Sequence, residues 1–181
     1  MLCTEFVVAL FSYFEKKFLI FQMNYSWVPT TIHAPIPLNA VLAGYDSDGS
    51  RIFVGRTYFQ GDQIPCKIIP AKAAAYISYN GTEHYVGNYF EILCGYGLRW
   101  ISASHGLVPN GAIPAGYCRS GDTLLVGRAH FLGSLTPGKV SRLNRCLYVP
   151  FNGREYAIPV YEVLVSNPLI HLSYKSSCSI Q

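Results

Sequence analysis

The chain carries little charge: only 13% of its 181 residues are Asp, Glu, Lys or Arg, and the formal net charge is +4. Its basic residues are scattered, with no Lys or Arg run. A nucleic-acid footprint needs them clustered on one face, so no nucleic-acid partner is expected. A long apolar run is missing too. Phe6 to Phe14 is apolar, Glu15-Lys16-Lys17 interrupts it, and Phe18 to Phe21 resumes. A membrane-spanning helix needs about 20 consecutive apolar residues, so no span is expected. The same segment lacks a basic n-region, carrying Glu5 instead, and no small-residue cleavage pattern follows. Residues 1–25 therefore read as an extension. A cytoplasmic location is expected, with secretion as the alternative. In the secreted case Asn80, in the sequon Asn80-Gly81-Thr82, is the natural glycan acceptor.

Metal and catalytic signatures are also missing. The cysteines at 3, 66, 94, 118, 146 and 178 form no CxxC or CxxH pair, so a zinc site has no support. Buried free thiols are the expectation. No G-x-S-x-G elbow, P-loop or H-E-x-x-H occurs, and His84, His105 and His130 stand apart from any evident nucleophile. Asp46-Ser47-Asp48-Gly49 has the opening of a calcium loop, but the twelfth position counted from Asp46 is Thr57 rather than Glu. Turn chemistry accounts for those aspartates. The sequence thus implies a non-enzymatic protein without cofactor or metal.

Sustained helical periodicity is the last absence, and what replaces it is abundant Tyr (14) and Gly (16), which favour strands and tight turns. The sequence also repeats itself. At an offset of 72 residues, 14 of the 40 positions from 44 to 83 are identical without a gap. Gly44-Tyr45 returns as Gly116-Tyr117, Val54-Gly55-Arg56 as Val126-Gly127-Arg128, Pro65 and Lys67 as Pro137 and Lys139, and Asn80-Gly81 with Glu83 as Asn152-Gly153 with Glu155. With one-residue slips, Trp27 matches Trp100 and Phe90-Glu91-Ile92-Leu93 matches Tyr161-Glu162-Val163-Leu164. The units are 26–95 and 99–166, followed by a short tail, 167–181. Asn-Gly between two β-prone runs is a strong hairpin signal. The expected fold is all-β: two tandem homologous repeats sharing a core in a pseudo-twofold, β-sandwich-like body.

The charges kept in both copies are Arg56/Arg128, Lys67/Lys139, Glu83/Glu155 and Glu91/Glu162. The arginines and glutamates read as structural pairs held by bidentate bonds. The lysines, each two residues after a Pro, are expected at the start of a strand beside a loop. Asp46 and Asp48 have no acidic counterparts, because Cys118 and Ser120 stand at their places in the second copy.

This combination resembles the DM-nine repeat family, small invertebrate proteins built from tandem repeats. The resemblance is carried by AVLAGYDSDGSRIFVGR, GDQIPCKIIP, YNGTEH and FEIL in the first copy, and by AIPAGYCRSGDTLLVGR, GSLTPGKV, CLYVPFNGREY and YEVL in the second. It implies a two-repeat β-sandwich and a lectin-like role, since characterised relatives are mannose-recognising pattern-recognition proteins linked to immune responses. Their sugar is held by an Asp of the GxD turn and the Lys of the P-x-K motif, which fall here on Asp46 and Lys67. Cys118 leaves only a degenerate second site around Lys139. Mannose-containing glycans are the expected partners, and a homodimer is compatible with this reading because multivalency remedies weak single-sugar affinity. The alternative is a non-lectin intracellular interaction or scaffold protein responsive to infection. A carboxylate and an ammonium suit a hexose, whose hydroxyls both donate and accept, and Tyr45 is a candidate to pack on the sugar ring. On this reading Asp46→Ala or Lys67→Ala removes binding and leaves the fold intact.

Overall fold

The computed structural model describes residues 7–10, 17–22, 24–87, 89–166 and 169–173. Its strands are β1 (Val7–Leu10), β2 (Lys17–Gln22), β3 (Tyr25–Thr30), β4 (Leu42–Tyr45), β5 (Arg51–Phe59), β6 (Asp62–Ile69), β7 (Ala74–Tyr79), β8 (Thr82–Tyr85) and β9 (Phe90–Gly95). They continue as β10 (Arg99–Ser104), β11 (Pro114–Tyr117), β12 (Thr123–Phe131), β13 (Ser134–Ser141), β14 (Cys146–Phe151), β15 (Arg154–Ile158), β16 (Val160–Val165) and β17 (Leu169–Ser173). A single 3₁₀ turn, Pro70–Lys72, is the only helical element among the described residues. The protein is all-β. The expectation that residues 1–25 form an extension falls partly outside the described residues; within them, β2 pairs with β1 and with β17 in a separate three-stranded sheet.

Local sequence explains the hairpins. The turn between β7 and β8 holds Asn80 and Gly81 at φ 54° and 80°, and that between β14 and β15 holds Asn152 and Gly153 at 48° and 80°. Two successive left-handed residues define the tight turn that matches strand twist, and Asn-Gly is its favoured sequence. From β5 to β8 the chain meanders in antiparallel pairs, and β12 to β15 do the same. Val54 faces Lys67 and Val126 faces Lys139, while Lys67 faces Tyr76 and Lys139 faces Tyr148.

Where a β-sandwich-like body is expected, the strands close into a barrel. The remaining 14 strands belong to one sheet. Two seams produce the closure. β8 meets β15 at Thr82 and Arg154, and β11 pairs with β12 on one side and with β6 at Gln63 on the other. A strand bonded on both sides leaves no open edge there, so the layers cannot remain separate sheets. Glycine permits the close approach: a Cβ on Gly116 would lie 2.0 Å from the Gln63 carbonyl oxygen, and one on Gly44 would lie 2.1 Å from that of Leu135.

The core also crosses the seams. One cluster joins Ile52, Val54 and Leu93 to Ile113, Val126 and Leu164, so neither half encloses it alone. On the flanks, Arg56 lies 4.5 Å from the Trp27 ring centre and bonds Glu91 through both Nε (2.6 Å) and Nη2 (3.2 Å). Arg128 lies 4.2 Å from that of Trp100 and pairs with Glu162 at 2.7 Å. These are the Arg–Glu pairs expected from the duplicated charges.

Candidate functional site

An open cleft of about 420 Å³ lies where β6, β7 and β8 meet the β14–β15 turn. Lys67 forms its floor. The expectation of a lysine at a strand start is corrected: Lys67 lies well inside β6, every residue of which is buried, and is itself only 4% exposed. The strand begins earlier because the Gly61 turn returns the chain directly into the ladder with β5. A buried ammonium must be paired. Lys67 Nζ lies 2.8 Å from Glu83 Oε1 and donates to the Pro150 carbonyl at 2.8 Å. Tyr76 and Phe151 flank it, with ring centres at 5.2 and 5.5 Å. An ammonium has three N–H donors, so one is left for a ligand in the cleft. Glu83 is fixed in turn, its Oε2 accepting the Gly153 N–H at 2.7 Å.

Asp46 stands in the same cleft, on the turn after β4. The Ser47 N–H donates to its Oδ1 at 2.9 Å, and Lys72 Nζ donates to its Oδ2 at 2.6 Å. Lys72 also reaches Asp48 at 2.9 Å. Partial burial works against ionisation of Asp46. The Lys72 hydrogen bond, the Ser47 N–H and the fields of Lys72 and Lys67 outweigh it, and its pKa falls below the ordinary 3.8. At neutral pH the cleft therefore presents a carboxylate acceptor and a buried ammonium donor side by side.

A second cleft of about 450 Å³ surrounds Lys139. Lys139 Nζ donates to the Ser78 carbonyl at 2.7 Å and lies 2.9 Å from Glu155 Oε1. Tyr148 and Tyr79 flank it at 5.3 and 5.7 Å, and Glu155 Oε2 accepts the Gly81 N–H at 2.7 Å. Each lysine is thus capped by a carbonyl from the other half of the chain. Cys118 occupies the place of Asp46, and Asn144 that of Lys72.

A family model described as the DM9 repeat matches residues 46–158, a stretch that contains both lysines and both Asn-Gly turns. The chain belongs to the DM9 repeat family. Among solved structures it is similar to the crystal structure of the nematode sperm cell motility protein MFP2B, at 15% identity and a TM-score of 0.57. That similarity covers 89% of this chain and 49% of the other, so the chain spans about half the length of MFP2B. At this identity the likeness shows the fold alone. No curated protein sequence matched the chain.

In this DM9 protein, Asp46 and Lys67 line one cleft, whereas Lys139 lies in the other. Tyr45 is 46% exposed, and the aromatic walls come from Tyr76 and Phe151 instead. Sequence reasoning missed Lys72, Tyr76 and Phe151, and assigned Glu83 to an arginine rather than to Lys67. Two signals were available: Tyr76 and Glu83 recur as Tyr148 and Glu155, and an aromatic stands at both 79 and 151. Cys66, Cys94 and Cys146 are buried and Cys118 half-buried, all four unpaired. Burial raises the Cys118 thiol pKa, and the Asp62 and Asp122 carboxylates raise it further against Lys139, which disfavours a reactive thiolate.

Proposed function

We propose that this DM9 protein is a non-enzymatic, lectin-like module that binds a mannose-type sugar in the Asp46–Lys67 cleft and serves pattern recognition in innate immunity. The observation that carries the reading is the shared cleft itself. It holds an ionised carboxylate and a buried ammonium whose position is fixed by Glu83 and the Pro150 carbonyl. Charge-assisted hydrogen bonds to hydroxyls are the strong kind, and a pre-set lysine loses little rotamer freedom on binding. Tyr76 and Phe151 supply apolar walls for the C–H face of a hexose. We read the chain as two repeats, 26–95 and 99–166, related by a pseudo-twofold; the recurring strand registers and reciprocal lysine caps support this. A cytoplasmic location agrees with the four unpaired thiols.

Calorimetric titration with mannose tests the proposal. Asp46→Ala removes a charged partner, a loss of about 1.5–3 kcal/mol or roughly 10- to 100-fold in affinity. Mannose binding that is unchanged in Asp46→Ala refutes the assignment. A second reading, a protein-interaction module, draws on the exposed Tyr58 and Tyr117, which are 66% and 47% accessible. A glycan array blank on folded protein, with a partner whose capture depends on Tyr58, favours that reading.

A further inference from the structure

The second cleft differs from the first in the charges that line it. In the first, the Asp46 carboxylate is answered by the Lys72 ammonium. In the second, Asn144 replaces that lysine, yet carboxylates remain: Asp62, Asp122 and Glu155 line the cleft against Lys139 alone. The first is lined by two carboxylates and two ammonium groups. Asp122 sits on the turn entering β12, and its Oδ2 accepts from the Ser141 hydroxyl at 2.8 Å. That is its one side-chain hydrogen bond among the described residues. Asp62 Oδ1 accepts the Arg119 N–H at 2.9 Å. Glu155 Oε1 is buried and, although 2.9 Å from Lys139 Nζ, takes part in no well-aligned hydrogen bond. Asp48 beside the first cleft and the Arg119 side chain beside the second are exposed, so solvent screens their charges.

We propose that the Lys139 cleft is a second binding site of different specificity, taking a hexose that carries a free ammonium, with Asp122 and Asp62 holding that ammonium where Lys72 stands in the first cleft. The polyol part of the assignment rests on the sugar reading of the first cleft, whose lysine, glutamate and aromatic frame the second repeats. Burial holds the Cys118 thiol in the neutral form, and the Asp62 and Asp122 carboxylates add to that effect against Lys139. Cys118 therefore adds no competing charge, and Lys139, whose one hydrogen bond among the described residues is to the Ser78 carbonyl, keeps an N–H for a ligand hydroxyl.

The test is a ¹⁵N-labelled titration of the whole chain with D-glucosamine, N-acetyl-D-glucosamine and mannose at matched ionic strength. Glucosamine is expected to shift the amides of Ser141, Asn144 and Asn80. The uncharged N-acetyl sugar is expected to shift them at least about tenfold more weakly, as loss of a charged partner implies. Asp122→Asn keeps the shape and is expected to lose glucosamine affinity by a similar factor, with Asp62→Asn as an independent second variant. Asp46→Ala lies outside this cleft, so the glucosamine shifts of Ser141, Asn144 and Asn80 should persist in it. Equal binding of the amine and its N-acetyl form overturns the proposal, and that comparison needs no variant. So does glucosamine binding confined to amides around Lys67, or glucosamine affinity indifferent to both aspartates. Failure of the first-cleft reading looks different: mannose leaves the Lys67 amides unmoved while glucosamine still acts at Lys139.

Discussion

Replacing Lys67 should damage the fold before it damages any ligand contact. The sequence suggested that Lys67→Ala would leave the fold intact, and its burial reverses that expectation. The side chains of Lys67 and Glu83 are 5% and 10% exposed, and the ammonium also satisfies the Pro150 carbonyl. Truncation leaves Glu83 as a buried charge without its counter-ion. Breaking a buried pair from one side costs about 3–5 kcal/mol. For a chain of this size each kcal/mol moves the melting temperature by about 2–4 °C, so a fall of about 6–20 °C is expected. Glu83 keeps only the Gly153 N–H at 2.7 Å, which cannot neutralise it. Lys67→Met with Glu83→Gln removes both charges, and should therefore melt above Lys67→Met alone. The assay is thermal unfolding at pH 7 of wild type, Lys67→Ala, Lys67→Met, Glu83→Gln and the Lys67→Met/Glu83→Gln double variant. A Lys67→Ala melting point within about 2 °C of wild type, which is less than 1 kcal/mol, would refute the argument. So would additive effects in the double variant, because contacting charges should couple by about 0.5–3 kcal/mol.

The other expectations follow from neighbouring observations. Lys139→Ala should lower the melting temperature comparably, since its Glu155 partner is 9% exposed, yet leave mannose affinity in the first cleft nearly unchanged by calorimetry. Asp46 has a depressed pKa, so its contribution is present above its ordinary value of 3.8 and is lost only as pH falls through the lower folded value. Mannose affinity should accordingly stay flat from pH 7 down to about 5 and decline in more acid buffer; a decline centred near neutrality would point to another group. Gly116→Ala places a methyl 2.0 Å from the Gln63 carbonyl and should destabilise the barrel by about 1–3 kcal/mol or more, read from chemical denaturation.

The strands and hairpins were legible because they depend on local chemistry. Asn80-Gly81 and Asn152-Gly153 adopt the turn that their sequence favours, and the duplicated Arg and Glu residues found each other across adjacent strands. Closure was not legible. Nothing in the Pro114–Tyr117 segment announces that it will bond to β6 as well as β12, because an edge strand and a bridging strand share the same alternation. Gly44 and Gly116 did carry a trace of it. Their identity in both copies reads as turn chemistry, whereas each instead admits a carbonyl from the other half. The site failed to appear for the same reason. Sequence comparison at an offset of 72 aligns each lysine with its counterpart and so hides that Lys67 is completed by Pro150 and Lys139 by Ser78. Glu83 likewise caps the Gly153 turn and Glu155 the Gly81 turn. Because each cleft borrows its cap from the opposite half, neither can be assembled by its own half alone. Binding in either cleft therefore stabilises the seam between the halves as well as the local loops, through the linkage that favours any state able to bind.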